Sequence, residues 1–165
     1  MKRIDKILTQ LNNFSSEIIT IHEPLKNMRI VENFEKKHNL KLPNDYKYLI
    51  SKHDGIDLMG VTIYGFDDME NLDSVYDFEH NEVIYPQYNY LVPFSPDGGG
   101  NFYCFDTRDC ENNNSCSVIF WTSNYEYNEE NQPEMTNLSF AEWIEEVMIE
   151  WTLEDYNYDG SEKFN

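Results

Sequence analysis

Basic residues are scarce beyond the first third of this chain. Residues 1–52 hold ten Lys or Arg against six Asp or Glu, whereas residues 53–165 hold only Arg108 and Lys163 against 25 acidic residues. The whole sequence carries a formal charge of −19. Nucleic acids and anionic membranes are gripped through Lys and Arg, so neither is expected as a direct partner. The same field speeds and strengthens encounter with a basic protein. Acidity also serves solubility, and composition alone does not separate the two uses.

Cysteine is sparse too: Cys104, Cys110 and Cys116 are all there is. An odd count with no secretion signal argues against a disulfide framework, and free thiols in or near a core are expected. Five residues separate each neighbouring pair, and none of His22, His38, His53 or His80 stands beside them. A zinc site needs tighter Cys and His spacing, so no metal and no cofactor are expected. Long apolar runs are missing, and none approaches the ~20 residues of a spanning helix. The opening MKRIDKILTQL lacks an apolar stretch and a small-residue cleavage site. No signal peptide is therefore expected, and the cytoplasm is the expected compartment.

Glycine is rare, with seven residues, yet Gly98, Gly99 and Gly100 stand together in SPDGGGNFYCFD. A phosphate loop would need G-x-x-x-x-G-K-(S/T) with its lysine, and a dinucleotide loop would open a helix. Here no cation follows, Asp97 would repel a phosphate, and the next residues read as a strand. Asp-Gly between apolar runs instead signals a hairpin, with glycine supplying positive φ. Catalytic signals are equally thin. There is no G-x-S-x-G motif. Asp97, Asp106 and Asp109 could pair as carboxylates, but nothing in the sequence gives them the unequal environments that acid–base work requires.

What is present suits one α+β domain over residues 1–154, with a frayed acidic tail over 155–165. A chain of this length buries roughly 70% of its unfolded surface, and aromatics at 15% can fill the core. Ile4, Ile7, Leu8 and Leu11 fall on one helical face. A second helix is expected from Pro24 to His38, carrying Met28, Val31 and Phe34. A third opens at Pro43, buries Tyr46, Leu49 and Ile50, and is expected to use Gly55 as its C-cap. Strands are expected over 61–66, 88–94, in NFYCFD and in SVIFWTS, forming a central antiparallel meander, with a short acidic helix in DDMENLDSVYDF. A last helix opens on the Ser139–Glu142 capping box and packs Phe140, Ile144, Val147 and Trp151 on the sheet. Glu142, Glu146, Glu150 and Glu154 recur every four residues, with Glu145 beside them. That stripe costs helix stability, which marks it as a candidate docking ridge for cations.

The residues Leu42-Pro43-x-x-Tyr46-x-x-Leu49, then Gly55, resemble the LP-x-x-Y-x-x-(F/L)…G element of the SUKH superfamily. Val61-x-Ile63-Tyr64-Gly65-Phe66 is similar to its first strand. Ser95 to Asp106, with Asp97, Gly98, Gly99, Gly100 and Tyr103, resembles its (G/S)-x-D-G-G-G-(N/D)-x-Y-x-x-D motif. Val118-x-Phe120-Trp121 and Ser139-Phe140-x-x-Trp143 follow in order. Departures are Pro96 inside the glycine motif, an acid-rich insert over 124–137 and a long N-terminal helix. That superfamily takes in the yeast cell-wall glucan-synthesis regulator and many bacterial immunity proteins. The resemblance implies a non-catalytic protein, monomeric or weakly dimeric. It would neutralise a basic toxin, such as a nuclease of a polymorphic toxin system, or act as a regulatory protein-binding scaffold of the yeast type. Asp97, Asp106, Asp109, Glu111, Glu142, Glu146 and Glu150 are the expected partner-binding residues. Leu42, Pro43, Tyr46, Gly55, the three glycines and Trp121 are the expected structural ones.

Overall fold

The computed structural model describes residues 1–108, 110 and 115–163. The chain begins with helix α1 (Lys2–Leu11), whose buried face is Ile4, Ile7, Leu8 and Leu11. Strand β1 (Ile19–Ile21) precedes helices α2 (Arg29–His38) and α3 (Asn44–Ile50). Helix α2 starts five residues after Pro24 and ends where Asn39 takes a left-handed conformation at φ 53°. Asparagine tolerates that conformation better than most residues. Strands β2 (Ile56–Leu58) and β3 (Val61–Ile63) follow, then helix α4 (Leu72–Asn81). Next come β4 (Leu91–Pro96), β5 (Phe102–Asp106), β6 (Val118–Trp121) and β7 (Glu134–Asn137). The closing helix runs as α5 (Phe140–Trp143), a π-helical stretch (Ile144–Glu150) and α6 (Trp151–Asp155).

The class is α+β, but the single meander divides into two antiparallel sheets, β1-β2-β3 and β4-β5-β6-β7. The break has a local cause. The β4–β5 register slips between Pro93 and Ser95. Pro93 has no N–H to give the ladder. The carbonyl of the intervening Phe94 turns away and accepts from the Tyr64 N–H at 2.9 Å. The small sheet thus butts against the large one at that bond. Strand β7 grows out of the acid-rich 124–137 segment and extends the large sheet through β6.

One face of the large sheet carries Phe94, Phe105 and Val118 under the closing helix. Phe94 stacks on Phe105 at 4.1 Å between centroids and meets Trp143 edge-on at 4.8 Å. Tyr46 reaches the same cluster through Phe105, and its hydroxyl donates to the Tyr64 carbonyl at 2.7 Å. Leu42 and Trp121 are likewise buried. The other face carries Leu91, Cys104, Ile119 and Trp121, covered by Tyr88, Tyr90 and Tyr127.

Three expectations change here. Helix α3 ends on Ser51, and Gly55 stands four residues further on at φ 109°, where it leads into β2 rather than capping the helix. Cys110 and Cys116 are not free thiols. They are joined as a disulfide across Cα atoms 4.7 Å apart, because the chain after β5 doubles back to start β6. Only Cys104 is free, and it is buried. Residues 155–163, expected to fray, fold back on α1. Tyr156 bridges Glu162, the Ser15 N–H donates to the Tyr158 carbonyl at 2.7 Å, and the Tyr158 ring lies 4.7 Å from Phe14.

The β2–β3 hairpin turns on Met59 and Gly60, both at positive φ (51° and 86°). Two-residue turns of this hand favour Asn-Gly, and a methionine there bears a steric cost of about 1–2 kcal/mol. Met59→Asn is expected to stabilise the protein by about 0.5–1 kcal/mol, measured by chemical denaturation, because asparagine relieves part of that strain. No change or a loss would show that the Met59 side chain contributes more than its backbone costs.

Candidate functional site

The glycine stretch forms the β4–β5 turn. Gly98 and Gly100 have φ of 78° and 93°, which asks for glycine. The Asp97 carboxylate fastens this turn. It accepts from the N–H groups of Gly99 (2.7 Å) and Asn101 (2.8 Å) and from the Asn101 side-chain amide (2.7 Å). Partial burial works to push its pKa up, but these donors outweigh it and hold the carboxyl below its usual range. Asp97 therefore keeps its charge at the surface while holding the turn closed.

From this turn an aromatic row crosses the sheet. Tyr103 faces Phe120 in the β5–β6 register, and Phe120 faces Glu134 in β6–β7. The Tyr103 ring lies 5.1 Å from Phe120 and 5.3 Å from Trp143 of the closing helix. Burial first, then the negative charges of Asp97 and Glu146, push the Tyr103 phenol up. Both carboxylates are thus near enough to act on the same phenol through space. Glu146 is exposed, and its Oε2 accepts from the Asn137 side-chain amide at 2.6 Å. Half-buried Tyr103 and Phe120, rimmed by Asp97, Glu134 and Glu146, make an aromatic centre with an acidic border. Protein interfaces are built that way, with aromatic anchors ringed by polar groups.

The other expected site residues divide. Asp106 sits at the far end of β5 and is buried. Its carboxylate takes the Arg108 guanidinium at 2.6 and 2.9 Å, and that guanidinium lies 3.8 Å from the Tyr90 ring centroid. Asp106 thus sits in an ion pair with Arg108 instead of standing free at the surface. Asp109 and Glu111 lie outside the described residues. The half-buried Glu142 accepts from the Leu138 N–H at 2.7 Å, while Ser139 accepts from the Glu142 N–H at 3.2 Å. The Ser139 cap forms, but the reciprocal half of the expected box does not, because Glu142 takes the N–H of Leu138 in place of that of Ser139. Glu145 pairs with Arg3 at 2.5 Å. The four-residue glutamate stripe is not uniformly free, since Glu142 is half-buried and Glu146 is held by Asn137, while Glu150 is exposed.

A groove of about 620 Å³ lies elsewhere, between α1, α3 and the start of α5. Asp45 stands in it, accepting from Ser115 Oγ at 2.7 Å, and burial pushes its carboxyl up. The described lining contains no histidine or cysteine. No helix among the described residues is long and apolar enough to cross a membrane.

With this geometry in place, comparison with known families is decisive. The pattern of the SMI1/KNR4 family (SUKH-1) matches residues 29–146, from α2 into the closing helix. The chain belongs to that family. No curated protein matches it in sequence. The match takes in the glycine turn, the aromatic row and both sheets except β1. Helix α1, β1, the end of the closing helix and the folded-back tail lie outside the matched segment.

Sequence reasoning missed Phe120 and Glu134 as parts of this surface. Alternation within NFYCFD and SVIFWTS shows that Tyr103 and Phe120 each belong to one face of a strand. Only the pairing register makes them neighbours.

Proposed function

We propose that this SUKH-1 protein is a non-catalytic immunity protein, acting in the cytoplasm. It binds and neutralises a basic protein toxin, a nuclease of a polymorphic toxin system. The observation that carries this reading is the aromatic row Tyr103–Phe120 bordered by Asp97, Glu134 and Glu146, in a region with almost no positive charge of its own. An acidic border draws a cationic nuclease in quickly, and the aromatic centre supplies desolvated contact once docked. Occupying the cleft that would hold nucleic acid then blocks the nuclease by mimicry of charge. Family membership supports a protein-binding role of this kind.

The test is binding to the product of a neighbouring toxin-like gene. Glu134→Lys with Glu146→Lys is expected to weaken the complex at least tenfold at low salt, about 1.4 kcal/mol or more. Asp97 is left intact, since its loss would open the turn. Raising the salt should shrink the difference, because exposed charges are screened. Full affinity in the double variant would move the interface elsewhere, and absence of any complex with the wild type would remove the proposal.

A further inference from the structure

Away from the aromatic row, helices α2 and α4 bring together three groups with the makings of a metal site. Asp73 and Asp77 stand four residues apart on α4, so their carboxylates share one face. His38 is the last residue of α2. Its ring is 12% exposed and packed against Phe34 (4.7 Å) and Tyr76 (4.2 Å), which fixes its direction. Its Nε2 points at the two carboxylates, 3.4 Å from Asp73 Oδ1 and 3.8 Å from Asp77 Oδ1. One ligand atom from each residue lies within 4.8 Å of the others.

We propose that His38, Asp73 and Asp77 form a binding site for a divalent transition-metal ion of the zinc class. A tetrahedral ion holding nitrogen and oxygen at about 2.0–2.1 Å sets its ligand atoms roughly 3.4 Å apart. The His38–Asp73 pair already has that spacing, Asp77 Oδ1 must close on Nε2 from 3.8 Å, and the two carboxylates, within 4.8 Å of each other, must draw together around the ion. One imidazole with two carboxylates suits zinc, cobalt, nickel or manganese. Calcium prefers an all-oxygen set and copper(I) prefers thiolates. Three protein ligands leave a fourth position for water.

Lys37 marks where the positive charge belongs. Its Nζ donates to Asp73 Oδ1 at 3.2 Å and to Asp77 Oδ2 at 2.9 Å. It therefore shares with His38 the very Asp73 oxygen that a metal would take. A metal ion displaces Lys37 from Asp73, and Lys37, half exposed, swings into solvent while still able to reach Asp77 Oδ2. His80 is close but is not a ligand. Both its ring nitrogens face backbone carbonyls, of Tyr76 at 2.7 Å and Tyr88 at 3.2 Å. It stacks on Tyr76 at 3.8 Å and so supports the ring that holds His38. The ion would fasten α2 to α4, helices that already meet where Phe34 packs edge-on against Tyr76 at 5.4 Å.

The test uses the full chain, free of any affinity tag and stripped with chelator. Co²⁺ titration followed by visible absorbance, and Zn²⁺ titration by calorimetry, should each show one equivalent bound, with a rise in Tm. His38→Gln and, separately, Asp77→Asn should weaken binding at least tenfold. The half-exposed Asp77 is the variant that keeps its fold if His38→Gln does not. Lys37→Gln should tighten binding several-fold, because the internal cation no longer competes. Absence of a one-equivalent phase in the wild type overturns the site. So do several weak equivalents held equally by wild type and Asp77→Asn, which would mean that an acidic surface merely gathers cations. Looser binding in Lys37→Gln would also overturn the proposed competition.

Discussion

Trp143→Ala is expected to remove about 3–5 kcal/mol of stability, a large share of what a domain of this size has. The indole is fully buried and touches Phe94 at 4.8 Å and Tyr103 at 5.3 Å. Its Nε1 has no hydrogen-bond partner among the described residues. Truncation therefore strands no polar group, and the loss is that of packing and of the cavity left behind. Trp143→Phe, which keeps a ring in place, should cost less than half as much. Denaturant unfolding of the three proteins measures both differences. A cost below about 1 kcal/mol for alanine would show that the closing helix does not pack on the sheet through this residue. Because Tyr103 rests on Trp143, partner binding should weaken in the alanine variant even where it remains folded.

Glu35→Ala is expected to cost about 2–3 kcal/mol at neutral pH, from loss of a charge-assisted acceptor and exposure of a buried donor to an empty space. Glu35 is a buried carboxylate on α2. It accepts from the Leu42 N–H at 2.9 Å, Lys47 Nζ at 2.9 Å and Lys41 Nζ at 3.0 Å. Lys41 is largely exposed, so its share is small. The cost comes mainly from Lys47 and from the Leu42 N–H, which is left without an acceptor. Burial works to raise the Glu35 carboxyl, but Lys47, the Leu42 N–H and Lys41 outweigh it and hold it below its ordinary value. The sign follows. A carboxyl whose folded value lies below its unfolded value of about 4.3 stabilises above that pH and loses its contribution as the pH falls through the folded value. The stability gap between wild type and Glu35→Gln should therefore be widest at neutral pH and narrow below about pH 4. A gap independent of pH would show that Glu35 acts through shape rather than charge.

Glu35 also shows why parts of this protein were not legible in advance. In the sequence it is one acid among 31, and nothing local distinguishes it from Glu32. It is buried because α2 turns back at Asn39 and lays Leu42 and Lys47 over it. The same holds for the expected interface. Asp97 and Glu146 were picked for their charge, and they meet at Tyr103 because β5 and the closing helix pack together. Asp106 was picked on the same grounds, yet Arg108, two residues on, folds back to cover it. The small sheet was half visible. VTIYGF reads as a strand, but the three-residue β1 and β2 have too little alternation to announce themselves, and they exist by pairing.

The sequence by itself determined the elements with strong local signals. These are the apolar faces of α1 and α3, that of the closing helix through Phe140, Ile144 and Val147 though not Trp151, which is exposed, the Asp-Gly turn at Gly98, the Ser139 cap and the sign of the surface. Each rests on periodicity, turn chemistry or composition, which act over a few residues or over the whole chain. Packing between segments settled which carboxylates face solvent and the division into two sheets. It also decided the meeting of His38 with Asp73 and Asp77 across 35 and more residues of chain. Those outcomes depend on segments approaching from a distance, and a pattern read along one strand or helix carries no record of what will be laid against it.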